Sequence, residues 1–182
     1  MTERGYGMAY AGLAPGGSAK FPAPIVVRYK GAFDYTYLYR TLQRWFEQRR
    51  FRFTETRYKD SGKRIKDDFE AIREIDEFFA EQYNIKVEMW ELTTQEIMVN
   101  GEPRKILNGM AQFTVSGTLS TDRNGWFKGK KGFVGWLGRR YMDARWREIE
   151  SNFIDVMEYR TQDVQTLIKE CLAMTTKENA AW

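Results

Sequence analysis

Apolar positions recur along the chain with two periods, and those periods mark out its elements. Ile25-Val-Val-Arg-Tyr29 is β-branched and aromatic, which predicts a first strand. Tyr35, Leu38, Leu42, Trp45 and Phe46 return at helical spacing, so a helix is expected over 35–48, with Asp34 placed to cap its N-terminus. From Phe51 to Tyr58 the pattern alternates. Phe51 and Phe53 share one face, while Arg52, Thr54 and Thr56 share the other, which predicts a second strand with one wet side. Asp60-Ser-Gly62 turns the chain.

The stretch Asp67–Tyr83 is pulled two ways. Phe69, Ile72, Phe79 and Tyr83 fit one helical face, and the Glu, Ala and Arg content suits a helix. The turn before it would equally allow a long strand. Helix is the expectation adopted for 67–83. Beyond it, Ile85, Val87 and Met89 alternate with Lys86, Glu88 and Trp90, predicting a strand over 85–97. Asn100-Gly101 signals a hairpin, and Met110–Leu119 supplies the returning strand. Asp122-Arg-Asn-Gly125 ends the sheet. A helical stripe then runs from Trp136 to Leu172 through Trp146, Ile149, Phe153, Val156, Val164, Leu167, Ile168 and Cys171. A break is expected near Arg160–Thr161, with Thr161 capping the second part.

This order predicts an α+β fold. A mainly antiparallel sheet of about four or five strands is packed by an early helix and a long C-terminal helix, with an extended N-terminal arm. Residues 1–24 form the arm and a Pro-stiffened linker, 25–174 a single domain, and 175–182 a tail. The arm is Gly-rich yet carries Tyr6, Met8, Tyr10 and Leu13 at intervals. The plain reading is a flexible terminus. A spacer needs no aromatics, however, so these four residues are expected contacts with a neighbour.

Composition narrows the chemistry. The 182 residues include no histidine and one cysteine, Cys171. A Ser–His–Asp or Cys–His arrangement is therefore impossible, the usual nitrogen and sulfur ligands of zinc are missing, and no intramolecular disulfide can form. Cys171 lies on the apolar stripe and reads as a small buried hydrophobe. No phosphate-cradling Gly-x-x-x-x-Gly-Lys-Ser/Thr occurs, and Gly132, Gly135 and Gly138 lack the preceding strand and acidic partner of a dinucleotide site. Carboxylates gather in Asp67, Asp68, Glu70, Glu74 and Glu77, and again in Asp143, Glu148 and Glu150, with no spacing that singles out a catalytic pair. No enzyme activity, cofactor, metal or small-molecule ligand is expected. No signal peptide or membrane span is apparent, so the expected location is cytoplasmic or within a virus-like particle.

The richest segment is 126–147. Lys128, Lys130, Lys131, Arg139, Arg140, Arg145 and Arg147 interleave there with Trp126, Phe127, Phe133, Trp136, Tyr141 and Trp146. Cations of this kind neutralise phosphates, and rings stack on single-stranded bases. The plainer reading is a loop leading into an amphipathic helix whose rings face the core. A second basic cluster holds Arg44, Arg49, Arg50, Arg52 and Arg57, where a helix C-terminus alone explains Arg49 and Arg50.

Three functions compete. The first is a non-catalytic structural subunit of a virion, tail or filament-like assembly. It would contact its neighbours through Tyr6, Met8, Tyr10, Leu13, Trp126, Phe127, Lys128, Lys130, Lys131, Phe133 and Trp136, as a homo- or hetero-oligomer. The second is a nucleic-acid or ribonucleoprotein binder using 126–147, with Arg139, Arg140, Arg49, Arg50 and Arg52 on phosphates. The third is a helix-grip carrier of a small molecule or lipid, for which the strands are too few.

Overall fold

A computed structural model describes residues 16–20, 23–99 and 102–174 of the chain. Six antiparallel strands form one sheet: β1 (Ser18–Lys20), β2 (Ile25–Phe33), β3 (Arg52–Asp60), β4 (Arg64–Glu74), β5 (Phe79–Val99) and β6 (Glu102–Thr121). The order is β1-β6-β5-β4-β3, with β2 also pairing along β6. Three helices complete the fold: α1 (Tyr35–Gln48), α2 (Gly132–Ile149) and α3 (Asp155–Cys171), the last two joined by one π-helical turn over Glu150–Ile154. The fold is α+β with a mainly antiparallel sheet, an early helix and a long C-terminal helix, as the periodicity predicts. Ser18–Lys20, which the sequence places in the arm, pairs with Thr118–Ser120 and belongs to the sheet.

One face of the sheet carries the core. Ile65, Phe69 and Ala71 of β4, Tyr83, Ile85, Val87 and Met89 of β5, and Ala111, Phe113 and Val115 of β6 are all buried. Helix α1 lays Leu38, Leu42 and Phe46 on this face, and α3 adds Met157, Val164 and Ile168. Asp34 caps α1 by accepting the Tyr37 N–H at 2.8 Å, which satisfies one of the helix's orphan donors. Aromatic rings fill the interface. The Phe46 ring lies 5.5 Å from Phe51, 5.7 Å from Phe53 and 5.7 Å from Tyr83, and the Phe53 ring stacks on Phe69 at 5.3 Å.

The opposite face is polar and internally paired. Lys66 and Glu88 meet across the β4–β5 pair at 2.5 Å, Arg57 and Asp68 across β3–β4 at 2.9 Å, and Arg28 donates to Gln112 across β2–β6 at 3.0 Å. Such cross-strand pairs are how an antiparallel sheet presents one side to water.

Two expectations are corrected. Residues 67–83 form no helix: they complete β4, turn at 75–78, and begin β5. The turn is closed by Asp76, whose Oδ1 accepts the N–H groups of Phe78 at 2.7 Å and Phe79 at 2.6 Å. The inward positions of the two strands explain the misreading. They run Ile65, Asp67, Phe69, Ala71 and Phe79, Glu81, Tyr83, Ile85, so a buried acid interrupts the apolar alternation in each. The C-terminal helical break also lies elsewhere, in the π turn at 150–154. Thr161 is interior to α3, buried, and donates its hydroxyl to the Met157 carbonyl at 2.7 Å instead of capping an N-terminus.

The β5–β6 hairpin outruns its neighbours. A bulge between Trp90 and Thr93 puts Glu91 at φ 56°, and β4 stops pairing with β5 at Trp90. Opposite the bulge, Gly109 lets the strands close: a Cβ there would meet the Trp90 carbonyl oxygen at 2.9 Å. Among the described residues, no helix is long and apolar enough to cross a membrane.

Candidate docking site on helix α2

The chain leaves β6 through Asp122, a buried residue with φ 53°. Its carboxylate accepts the N–H of Trp126 at 2.7 Å and of Phe127 at 2.9 Å, which folds the segment back over the end of the sheet. Arg123 is tied down by Glu74 at 2.6 Å. Phe127 then points inward, with its ring 6.1 Å from Phe78 and 6.2 Å from Tyr141. Trp126 points out and keeps 51% of its surface exposed. The side chains predicted to act together at this point therefore separate, Phe127 into the core and Trp126 onto the surface.

Helix α2 begins at Gly132, four residues before the spacing suggests, and its first two turns are inverted. The residues facing the body are Gly135 and Gly138, both buried. A Cβ on Gly135 would sit 2.4 Å from the Lys130 carbonyl oxygen, and one on Gly138 would sit 2.8 Å from Phe127 Cβ. Only glycine permits this approach. The apolar residues consequently face solvent: Phe133 is 73% exposed, Val134 41%, Trp136 49% and Leu137 44%. The rings of Phe133 and Trp136 stack at 5.7 Å with an interplanar angle of 26°. Trp126 and these four residues make up five of the nine exposed large hydrophobics among the described residues. Solitary exposed hydrophobics are ordinary, whereas a contiguous group marks a contact surface.

Charge gathers at the same place. Between Arg123 and Met142 there are six cations and no acid, leaving 23 basic and 25 acidic residues elsewhere, a net of −2 against +4 for the whole chain. Lys128, Lys130, Lys131, Arg139 and Arg140 are all exposed. None of the five makes a side-chain ion pair or hydrogen bond among the described residues. The absence of acids over twenty residues was available in the sequence; whole-chain charge conceals it. Further along α2, Arg145 is consumed locally. It donates to both Glu148 oxygens, at 2.9 and 2.7 Å, and to the Tyr141 hydroxyl at 2.7 Å.

The other predicted contacts do not join this surface. Tyr6, Met8, Tyr10 and Leu13 lie outside the described residues. Description begins at Gly16, where a Cβ would stand 2.6 Å from Lys128 Cγ, so the arm meets the fold beside the Lys128 stem. Arg49 stacks on Trp45 at 3.9 Å and donates to the Trp45 carbonyl at 3.3 Å. Arg50 sits at φ 64° and lines a shallow surface depression with Arg52, Ile72 and Glu74, while Arg57 is paired with Asp68. Acids thus share the ground of this second cluster, whereas Lys128, Lys130, Lys131, Arg139 and Arg140 have no acid partner among the described residues.

Two buried acids escaped sequence reasoning. Glu81 is fully buried and takes both oxygens to Arg160 Nη1, at 2.8 and 2.7 Å, with Arg73 Nη2 at 3.0 Å. This group ties α3 to β4 and β5. Asp67 is 2% exposed. Its Oδ2 accepts the Tyr35 hydroxyl at 2.5 Å, and its Oδ1 has no partner. Burial pushes its carboxyl up to about 6; the Tyr35 hydrogen bond opposes that shift, and Glu55 and Asp68 add to it. A carboxyl this enclosed could hold a proton but could not touch a substrate. The Cys171 thiol is half-buried, and burial raises its pKa, which suits a packing residue more than a nucleophile. Among the described residues, no group of three or more His, Cys, Asp or Glu side chains could hold a metal ion.

No family model, no curated protein and no solved structure matches this chain.

Proposed function

We propose that this chain is a non-catalytic subunit of a larger macromolecular assembly, seated in it by the outward face of α2. The observation that carries this reading is the inverted helix start: Phe133, Val134, Trp136 and Leu137 held out to solvent over inward-facing glycines. Exposing these side chains forgoes burial worth roughly 1.5–3 kcal/mol each for a well-buried residue, so a monomer has no folding reason to arrange them this way. The chemistry of the residues agrees. The acids with buried surroundings are closed off, and the chain lacks the histidines that serve most proton transfers near neutral pH. Gly16, the first described residue, lies beside the Lys128 side chain at the edge of this face.

Velocity sedimentation of gently lysed cells producing the full chain tests this. The chain should migrate far ahead of its 21.5 kDa mass, and Trp136→Ser/Leu137→Ser should return it to the monomer position without changing its melting temperature. Wild-type chain found wholly at the monomer position would overturn the reading.

A nucleic-acid role draws support from the five cations that are unpaired among the described residues, in the segment that carries the stacked Phe133 and Trp136 rings. Val134 and Leu137 fit it poorly, since aliphatic side chains offer bases neither a stacking face nor a hydrogen bond.

A further inference from the structure

We infer that the surface on which α2 seats is an anionic lipid membrane, into whose interface Phe133, Val134, Trp136 and Leu137 insert. This rests on the reading of α2 as the docking face and names its partner.

The pattern on the helix makes the case. Phe133, Trp136, Leu137 and Arg140 follow one another at spacings of three, one and three residues, so Arg140 lies on the apolar face one turn behind it. Lys128, Lys130 and Lys131 lie ahead of the helix, in the loop that leads into it. The apolar group is therefore bracketed by cations at both ends. A membrane interface accommodates this arrangement: rings and aliphatic groups enter the headgroup–acyl boundary while long basic side chains reach back to the headgroup plane. The mixture of two aliphatic side chains with the exposed rings calls for an apolar phase, which a nucleic acid does not provide.

Charge selects the same occupant. Five cations without an ion-pair partner among the described residues, Lys128, Lys130, Lys131, Arg139 and Arg140, complement a continuous anionic surface. A folded protein partner is usually met by charges of both signs, which fix register, and α2's first two turns carry no acid to do so. The glycines contribute by geometry. With no side chain between the helix and the body, its inward side is closed against Lys130 and Phe127, and the apolar residues are left on the side facing out.

Flotation of the purified full chain with vesicles tests the inference. Three probes are compared: phosphatidylserine/phosphatidylcholine vesicles, phosphatidylcholine vesicles, and a 20-nucleotide oligo-dT. The expected result is binding to the phosphatidylserine vesicles, weakened steeply by salt, with tryptophan fluorescence quenched by brominated acyl chains. Each cation replaced among Lys128, Lys130, Lys131, Arg139 and Arg140 should weaken binding about fivefold. Trp136→Ser/Leu137→Ser should abolish acyl-chain quenching. Binding to oligo-dT with inert vesicles would overturn the inference and leave α2 as a docking face for nucleic acid. Inert vesicles, with a large detergent-resistant assembly lost in Trp136→Ser/Leu137→Ser, would overturn it in favour of a protein neighbour. Inert vesicles with a monomer indifferent to that double substitution would remove both the inference and the reading beneath it.

Discussion

Helix α1 and the first two turns of α2 both carry an apolar face, and they turn it in opposite directions. In α1, Leu38, Leu42 and Phe46 go under and the cationic and polar residues stay out. In the first two turns of α2, Phe133, Val134, Trp136 and Leu137 stay out and glycines go under. Periodicity shows that a helix has an apolar face; it does not show which way that face turns. What decides is the side that can approach the body. Gly135 and Gly138 let α2 lie against Lys130 and Phe127 more closely than any side chain would, and the apolar face is rotated into solvent as a consequence.

The largest expected effect comes from treating the two helices alike. Phe46→Ala should cost about 3–5 kcal/mol of unfolding free energy, because its ring is fully buried among Phe51, Phe53 and Tyr83. Phe133→Ala, the same chemical change, should fall within about 0.5 kcal/mol of wild type. Urea denaturation of both variants measures the gap. A loss at Phe133 approaching that at Phe46 would mean that the α2 face is core in solution.

The C-terminal helical run contains the same contrast within itself. Its α3 half is anchored by Met157, Val164 and Ile168 and by the Glu81–Arg160–Arg73 group, whereas the start of α2 has no comparable anchor. Glu81→Ala should cost about 3–5 kcal/mol, because it strands two arginines that are themselves largely enclosed. A calorimetric scan that matches wild type would show the three charges to be redundant for holding α3.

Much of this arrangement is readable from the sequence. Asp34 announces α1, the alternation through Phe51–Tyr58 gives β3, and Asp60-Ser-Gly62 marks where β3 doubles back; Asn100-Gly101 lies outside the described residues, between the paired strands β5 and β6. The strands over 67–83 were hidden because Asp67 and Glu81 occupy inward positions, while Ile72 sits outward. A helical count then scores better than an alternating one. Both acids lean on residues distant in sequence, Tyr35 for Asp67 and, together with the nearby Arg73, Arg160 for Glu81, and a local pattern cannot anticipate the distant partners. The docking face was legible as a composition and illegible as a geometry. Trp126–Trp136 stood out for its cations and rings, yet Phe127 could not be told from Trp126, and the consequence of Gly135 and Gly138 needed the Lys130 carbonyl in place.

Gly135→Ala tests that consequence directly. Alanine would gain about 1 kcal/mol in helix propensity. The clash runs the other way: a Cβ 2.4 Å from a backbone oxygen cannot be relieved by a rotamer change, so the Lys130–Lys131 turn must move. The expected net loss is about 1–2 kcal/mol, concentrated locally. Hydrogen exchange over 127–138 should accelerate while α1 stays protected. Unchanged exchange there would show that the close approach is not what sets the helix.

An effect of similar size, confined to a pH window, concerns the first turns. Helix α1 is tied at its start to β4 by the Tyr35 hydroxyl on Asp67, and among the described residues the first turn of α2 has no such side-chain tie. The Asp67 carboxyl faces Tyr35, Glu55, Asp68 and Tyr58, and burial raises its folded-state value to about 6, above an unfolded value near 4. The native chain therefore binds the proton more tightly than the unfolded one. Its contribution to stability is full below about pH 4 and is lost as pH rises through 6, to the extent of about 2 kcal/mol. Glu88, held low first by its hydrogen bond to Lys66, slopes the opposite way, so the wild-type profile alone is ambiguous. The difference between wild type and Asp67→Asn isolates the group: it should shift by about 2 kcal/mol between pH 4 and 6.5 and be flat above. Amide exchange at Tyr35–Leu38 should follow the same pH dependence, while the start of α2 ignores it. Parallel pH responses at both helix starts would remove Asp67 as the feature that distinguishes them.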